Sequence, residues 1–238
     1  MFQLVLADSP ELLKEVYRVR YQVYCVENQF EDPIKNPGGL ERDEFDDHSV
    51  HSLLVDAASS RPIGTVRLVM HRPGARPGSL PFHKVCQQGD AARANLLPYE
   101  TTAECSRFAI SKAFRRDTAV NRVKAPGGAH AAIPHITIGL IAGALRMCFA
   151  NGVTHMCAVM EPTLLRLLCR FGIRFQPVGP QVNYHGWRQP CFAKITSLMA
   201  GIEAERRDVW NIVTDDGRLW PLSGETEVDE RAIAGECA

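Results

Sequence analysis

Apolar and polar positions alternate in short runs along much of this chain and switch to three-and-four spacing in a few longer runs, so both strands and helices are predicted. Met1–Ala7 reads as a first strand. Asp8-Ser9-Pro10-Glu11 then has the composition of a helix start, with Asp8 as cap, an early proline and Glu11 three residues on. Leu13, Val16, Arg20 and Val23–Tyr24 recur at helical spacing, which puts an arginine on the stripe that should be apolar. Pro33, Pro37, Gly38 and Gly39 make residues 26–40 an irregular loop.

Val50–Val55 and Ile63–Met70 read as two strands joined through Ala58–Pro62 into a hairpin. Strict alternation groups Ile63, Thr65, Arg67 and Val69 on one face and Val66, Leu68 and Met70 on the other. Residues 71–81 are rich in proline, glycine and arginine, residues 87–95 are helical or irregular, and Thr101–Ser111 is a further strand. Residues 114–134 gather Arg115, Arg116, Arg122 and Lys124 around Pro126-Gly127-Gly128, a basic loop that is either solvated charge or a substrate-side surface.

His135–Ala150 is a helix ended by Asn151-Gly152, Val153–Met160 an apolar strand, and Pro162–Phe171 a helix stopped at Gly172. Ile173–Pro177 continues the alternation. Tyr184–Leu198 is a strand running into a helix that Glu203–Trp210 extends. This order defines an α/β (α+β) chain with a mixed, twisted central sheet flanked by helices. One domain is expected over residues 1–221, followed by a loosely attached tail, 222–238, with five acids and few large apolar groups.

At 238 residues and 45% apolar content the chain can bury a sizeable core. Lys+Arg and Asp+Glu are 27 each, so no global charge asks for nucleic acid, and recognition must rest on local charge. The eight cysteines are scattered among apolar neighbours, which predicts reduced core thiols and a cytosolic protein. The amino terminus lacks the pattern of a signal peptide, and the longest apolar stretch, Ile136–Ala150, is too short for a bilayer span.

Several familiar chemistries are missing: no glycine-rich nucleotide fingerprint, no serine between glycines, and no histidine pair at zinc-binding spacing on a helix. His48 and His51 are three apart, a spacing assigned to the surface rather than to metal, so no metal is expected. Cys105 has no histidine near it in sequence, which disfavours a covalent cysteine mechanism. What remains is an acid–arginine constellation: Arg20, the run Glu41-Arg42-Asp43-Glu44-Phe45-Asp46-Asp47, Arg67, and Glu104 with Arg107. Buried charge of this kind has to be paired. Such a site can hold a small charged acceptor while a carboxylate takes a proton from an attacking amine, and thioester aminolysis needs little more.

The motifs Arg20-Tyr21-Gln22-Val23-Tyr24, Glu41 to Asp46, Gly64-Thr65-Val66-Arg67-Leu68 and Glu104-Cys105-Ser106-Arg107-Phe108 resemble those of acyl-homoserine lactone synthases and long-chain N-acyl amino acid synthases, members of the GNAT acyltransferase superfamily. Met160-Glu161-Pro162, residues 167–173 and Gly179-Pro180-Gln181-Val182-Asn183-Tyr184-His185-Gly186 resemble the acyltransferases associated with bacterial PEP-CTERM and exosortase systems.

The resemblance implies a GNAT-like fold and transfer of a long-chain fatty acyl group from a thioester to the amine of an amino acid or related small acceptor. Its implied catalytic residues are Glu104, as base or holder of a basic water, with Asp46, Arg20 and Arg67. Tyr24, Phe30, Asp43, Arg107, Ser106 and Phe108 are implied for substrate binding. Phe30 falls where lactone synthases often carry tryptophan. Residues 111–117 carry no glycine, so acyl carrier protein is favoured over coenzyme A as donor, met by Lys112, Arg115, Arg116, Arg122 and Lys124.

No permanently bound cofactor is implied, and the expected state is a monomer or weak dimer with at most peripheral membrane contact. Apolar side chains between Ile138 and Leu168 either line an acyl tunnel or simply pack the core. Alternation places Glu104 with Ser106 and Phe108 but Arg107 on the opposite face, so both serve one site only if the strand twists or bulges. The competing readings are a non-catalytic sensor or scaffold that binds acyl thioester or lipid, an autoinducer-type synthase using S-adenosylmethionine, and transfer to a protein or polysaccharide.

Overall fold

In a computed structural model, which describes residues 2–72, 79–86, 97–112 and 132–220 (side chains from 136 in the last stretch), the described strands form a mixed sheet. Its strands are β1 (Phe2–Leu6), β2 (Ser49–Asp56), β3 (Arg61–Val69), β4 (Thr102–Ile110), β5 (His155–Met160), β6 (Gln176–Pro177), β7 (Val182–Asn183) and β8 (Trp187–Lys194). The order is β1-β2-β3-β4-β5-β8-β6, with β7 paired to β8. Neighbours run antiparallel except β4 and β5, which are parallel. This is the mixed sheet flanked by helices that the alternation predicts.

The first helix, α1 (Pro10–Tyr21), is capped by Ser9, whose Oγ accepts the Leu12 N–H at 3.2 Å, so the cap lies one residue later than Asp8. Proline at the first helical position needs no donor. The helix continues directly into a π-helical segment, Gln22–Glu27, where a loop is predicted from residue 26. The stretch that follows is irregular as expected, with short 3-10 turns at Pro33–Lys35, Pro37–Gly39 and Asp46–His48.

Two bulges break the predicted alternation. In the β2–β3 ladder, Leu54 pairs with Gly64 and Val55 with Pro62, so Ile63 is left out of register and joins Val66 and Leu68 in the main core. The second bulge, between β3 and β4, shapes the site described below.

After the short helix α2 (Phe82–Val85), helix α3 (Ala132–Ala150) lies across β1, β2 and β3 on the sheet face opposite α1. Gly143 permits this closeness, because a Cβ there would sit 2.9 Å from Ser52 Oγ. Helices α4 (Pro162–Cys169), α5 (Ile195–Glu205) and α6 (Arg207–Thr214) complete that side, and Leu140, Leu145, Leu198, Ile202 and Trp210 fill the core between them. The predicted continuous extension through Trp210 is instead two helices, broken at Arg206, whose φ/ψ of −144°/73° is not helical. The strand predicted over 173–177 shortens to Gln176–Pro177.

No helix among the described residues is long and apolar enough to cross a membrane. The readings for residues 87–95, for Arg115, Arg116, Arg122 and Lys124, and for the tail 222–238 lie outside the described residues.

One topological feature positions the site. β4 and β5 pair only at Thr102–His155, Ala103–Met156 and Glu104–Cys157. Beyond Glu104, β4 continues to Ile110 paired with β3 alone, while β5 continues to Met160 paired with β8 alone. The sheet therefore splits, and Glu104 stands at the apex of the split.

Candidate active site

Within the acid–arginine constellation, Arg20, Glu41, Asp43, Asp46, Arg67 and Arg107 form one connected network, while Arg42–Asp47 and Glu44–Lys84 are separate exposed pairs and Glu104 bonds instead to the Phe82 N–H. Arg20, fully buried on α1, grips Asp46 through both terminal nitrogens, at 2.6 and 3.0 Å, and donates Nε to Glu41 at 2.5 Å. Arg67 on β3 donates to Asp43 at 2.6 Å and Asp46 at 2.9 Å, and its Nε reaches Ser106 Oγ at 3.0 Å. Arg107 on β4 closes the ring, donating to Glu41 at 2.9 Å, Asp43 at 3.0 Å and Glu31 at 3.3 Å. Forked guanidinium–carboxylate contacts like these offset the desolvation of charges that an apolar interior would reject.

The acidic run can deliver three carboxylates because it folds on itself. Asp46 accepts the Asp43 N–H at 2.8 Å, and Asp43 accepts that of Phe45 at 2.9 Å. Burial alone would raise the Asp46 carboxyl, but hydrogen bonding and charge from Arg20, then Arg67, hold it well below the usual carboxylate range. Burial also works to raise the Glu41 and Asp43 carboxyls, yet both are lowered, by Arg20 and Arg67 respectively and then by Arg107.

His51, predicted at the surface, is buried. It lies across the β2–β3 ladder from Arg67, with Nε2 3.6 Å from Asp46 Oδ1 and neither ring nitrogen hydrogen-bonded. Burial and then the Arg20 charge push its imidazole down to about 4. It is neutral at physiological pH.

Glu104 differs from the other acids. Val69 and Cys157 flank it on the neighbouring strands, Phe82 donates its backbone N–H to Oε2 at 2.5 Å, and the residue is 3% exposed. Burial pushes its carboxyl up to about 7, only partly opposed by the Phe82 N–H and the more distant charges of Arg67 and Arg107. A carboxylate that exchanges its proton near neutral pH, at the apex of an open split, has the properties of a general base.

A bulge brings Arg107 to the same side. Ser106 pairs with Arg67 but Ala109 pairs with Thr65, so two residues of β4 face one of β3, and Arg107 has a left-handed backbone with φ of 47°. The predicted alternation is corrected here: Glu104, Ser106 and Arg107 share the network side. Phe108, expected beside Glu104, turns to the opposite face with Cys105 and packs on the core beneath α3. The Cys105 thiol is pushed up to about 12 by burial and then by the Glu104 charge.

A cleft of about 550 Å³ opens beside the network. One wall is Glu31, Glu41, Asp43 and Arg107, and the other is Val182, Asn183 and Tyr184, from the hairpin across the split. Tyr24, on the π-helical segment, lies under the Arg107 guanidinium, 5.1 Å from ring centroid to Cζ, and Phe30 stands 6.4 Å beyond Tyr24. A π-helical turn of this kind is frequent at functional sites. Among the described residues no group of side chains is arranged to hold a metal ion.

Lys112 is the one described residue of the expected donor-carrier surface. Its Nζ is tied to the Glu27 carbonyl at 3.0 Å and to Asn28 at 2.6 Å. The apolar side chains considered for an acyl tunnel, Leu140, Leu145 and Leu168 among them, are packed in the main core.

The places of Glu31, His51 and His185 in the site do not follow from the sequence pattern, in which Glu41 stands only as the first member of the acidic run. His51 was detectable in principle, because the hairpin register faces it to Arg67. Glu31 carried no sequence signal beyond adjacency to Phe30.

Residues 19–124 match the family described as Acetyltransferase (GNAT) domain. Solved acyl-homoserine lactone synthases share this fold over 85–94% of the chain. LasI superposes with a TM-score of 0.60 at 16% identity, over 86% of this chain and 95% of that one. TofI, in a complex with an inhibitor and MTA, gives 0.59 at 19% identity, over 85% and 96%. BjaI with MTA, described as a CoA-dependent acyl-homoserine lactone synthase, gives 0.58 at 22% identity, over 94% and 90%. No curated protein matches the sequence significantly.

Proposed function

We propose that this protein is an N-acyltransferase that moves a fatty acyl group, long-chain as the family resemblance implies, from an acyl thioester to the amine of a small acceptor. The observation that carries the reading is Glu104: a buried carboxyl, its pKa raised to about 7, standing where β4 and β5 part, three residues before Arg107, which lines the open cleft. The thioester arm enters the split and the acceptor occupies the cleft. The acceptor nitrogen attacks the carbonyl carbon, the C–N bond forms and the C–S bond breaks. Glu104, directly or through a water, takes the proton the amine loses, and the thiolate leaves and is protonated from solvent. The Arg20–Arg67–Arg107 network fixes the acidic run that forms the acceptor wall.

Transfer is direct. The Cys105 thiol beside Glu104 is a poor nucleophile at neutral pH and packs on the far face of β4, which argues against an acyl-cysteine intermediate. Both coenzyme A and acyl carrier protein remain in the proposal as donor carriers. The CoA-dependence of BjaI supports the first. Support for the second comes from the basic stretch 112–124, whose only described member, Lys112, is tied to residues 27 and 28.

An amino acid is the proposed acceptor. A second reading, with S-adenosylmethionine as acceptor in an autoinducer-type synthesis, draws support from the structure of BjaI with SAM and isopentyl-CoA, whose fold this chain shares. The link to exosortase systems rests on the sequence motifs 160–186 alone. Mass spectrometry of lipids from cells expressing the parent protein or Glu104→Gln tests the reading. An N-acyl amino acid seen only with the parent supports the first acceptor and an acyl-homoserine lactone the second. Identical lipid profiles would mean that the cleft binds without turnover.

A further inference from the structure

The hairpin of β7 and β8 makes the far wall of the cleft, and nothing in the reaction scheme uses its tip. Tyr184, His185 and Gly186 form the turn, closed by the Tyr184 N–H donating to the Gly186 carbonyl at 2.9 Å, with His185 left-handed at φ 52°. Its base is anchored by Arg188, 3.1 Å from Glu161, and by Gln189, which donates to the Gly179 carbonyl at 3.1 Å. The tip reaches across the split. The His185 ring lies 5.2 Å from that of Phe30, and its Nε2 is 3.9 Å from Glu31 Oε1, the same oxygen that accepts from Arg107.

The opposing turn is equally fixed. The N–H groups of Phe30 and Glu31 both donate to the Tyr24 carbonyl, at 2.8 and 3.2 Å, after a left-handed Gln29. Two pinned turns therefore meet ring to ring directly behind Glu31 and Tyr184, which line one edge of the cleft, and in the acyltransferase reading an acceptor held against Asp43 and Arg107 points its far end toward that contact.

We propose that His185, seated on Phe30 and facing Glu31, is the specificity-determining residue of the acceptor site and limits the length of the acceptor's side arm. The inference rests on the acyltransferase reading above. A rigid aromatic contact between fixed turns is a steric limit: acceptors with short arms fit inside it and longer arms collide with it. The acceptor class is thus a compact α-amino acid. Removing the imidazole opens that edge of the cleft and leaves Glu104 untouched.

The test uses the full chain, a long-chain acyl thioester supplied in turn on coenzyme A and on acyl carrier protein, and α-amino acids graded from glycine to arginine. With the parent, kcat/KM falls with increasing arm length. His185→Ala raises the long-to-short ratio of kcat/KM at least tenfold, and His185→Phe, which keeps a ring on Phe30, restores the parent ratio. Phe30→Leu, which removes the ring from the other side, shifts the ratio in the same direction as His185→Ala and covers the case in which that variant folds poorly. An unchanged ratio, or a uniform loss across all acceptors, overturns the steric role while leaving the acyltransferase reading standing. No acylation of any amino acid by the parent overturns the amino-acid acceptor and this inference together.

Discussion

Glu104 and Arg107, three residues apart on β4, act on one side of the sheet because the backbone of Arg107 is left-handed at the bulge opposite β3. In a regular strand their side chains would point to opposite faces. The bulge therefore puts the buried Glu104 carboxyl on the same side as the arginine that ties Glu31, Glu41 and Asp43 into the cleft wall.

In the proposed mechanism Glu104 sets the pH dependence of acyl transfer. Its base form is the active one, so with a carboxyl near 7, kcat/KM expressed per unprotonated amine rises tenfold per pH unit below about 7 and levels off above it. A pH–rate profile of the parent checks this. A profile already flat from pH 5 upward would show that the carboxyl does not titrate in the rate-limiting step.

The same group makes activity and stability oppose each other. Because its folded pKa lies above the ordinary 4.5, Glu104 supports folding fully below pH 4.5 and loses that support as pH rises through about 7. Glu104→Gln, which still accepts the Phe82 N–H and never ionises, gains stability at pH 8 on the order of 3 kcal/mol over the parent while losing acyl transfer at least a hundredfold. Urea unfolding at pH 5 and pH 8 measures the gain, which should appear only at the higher pH.

Arg20 holds the acidic run. Arg20→Met leaves Glu41 and Asp46 buried without their principal partner and destabilises the fold by about 3–5 kcal/mol, read as a drop in urea midpoint at unchanged slope.

His51 and Asp46 make the fold acid-sensitive in two steps. The His51 imidazole is lowered from 6.5 to about 4, so its contribution is complete above pH 6.5 and is lost as pH falls through about 4. Asp46, lowered further still, adds a second loss below pH 3.8. His51→Gln flattens the melting temperature between pH 6.5 and 4 relative to the parent and leaves the lower step in place.

Backbone strain and charge at Arg107 are separable. Arg107→Gly relieves the left-handed φ and is about 1 kcal/mol more stable than Arg107→Ala. Both variants lose the contacts to Glu31, Glu41 and Asp43, and both raise KM for the acceptor at least tenfold, as steady-state kinetics would record.

Much of this architecture is legible in the sequence where one local rule acts alone. The β2–β3 hairpin, helix α3 and the run from β8 into α5 follow directly from periodicity. An arginine on an apolar stripe followed by an acidic run announced the buried Arg20–Asp46 pair. What escaped depends on departures from regular geometry and on distant contacts. The bulge at Arg107–Phe108 has no glycine or proline to mark it, so simple alternation puts Phe108 on the wrong face, whereas the slip at Ile63 is flanked by Pro62 and Gly64 and is legible in principle. His51 resembled a surface histidine until its ladder partner was known. Glu31 and His185 are linked only because the split brings turns 154 residues apart in the chain to the same edge of the cleft.

The central claim is that Glu104 takes the proton when an amine attacks a thioester held in the split. Release of free thiol from a long-chain acyl thioester, measured with and without amino acid for the parent and Glu104→Gln, tests it most directly. Amine-dependent thiol release by the parent, matched mole for mole by N-acyl product and reduced at least a hundredfold in the variant, is the predicted result. Equal amine-dependent release by both proteins, with Glu104→Gln folded, would contradict it.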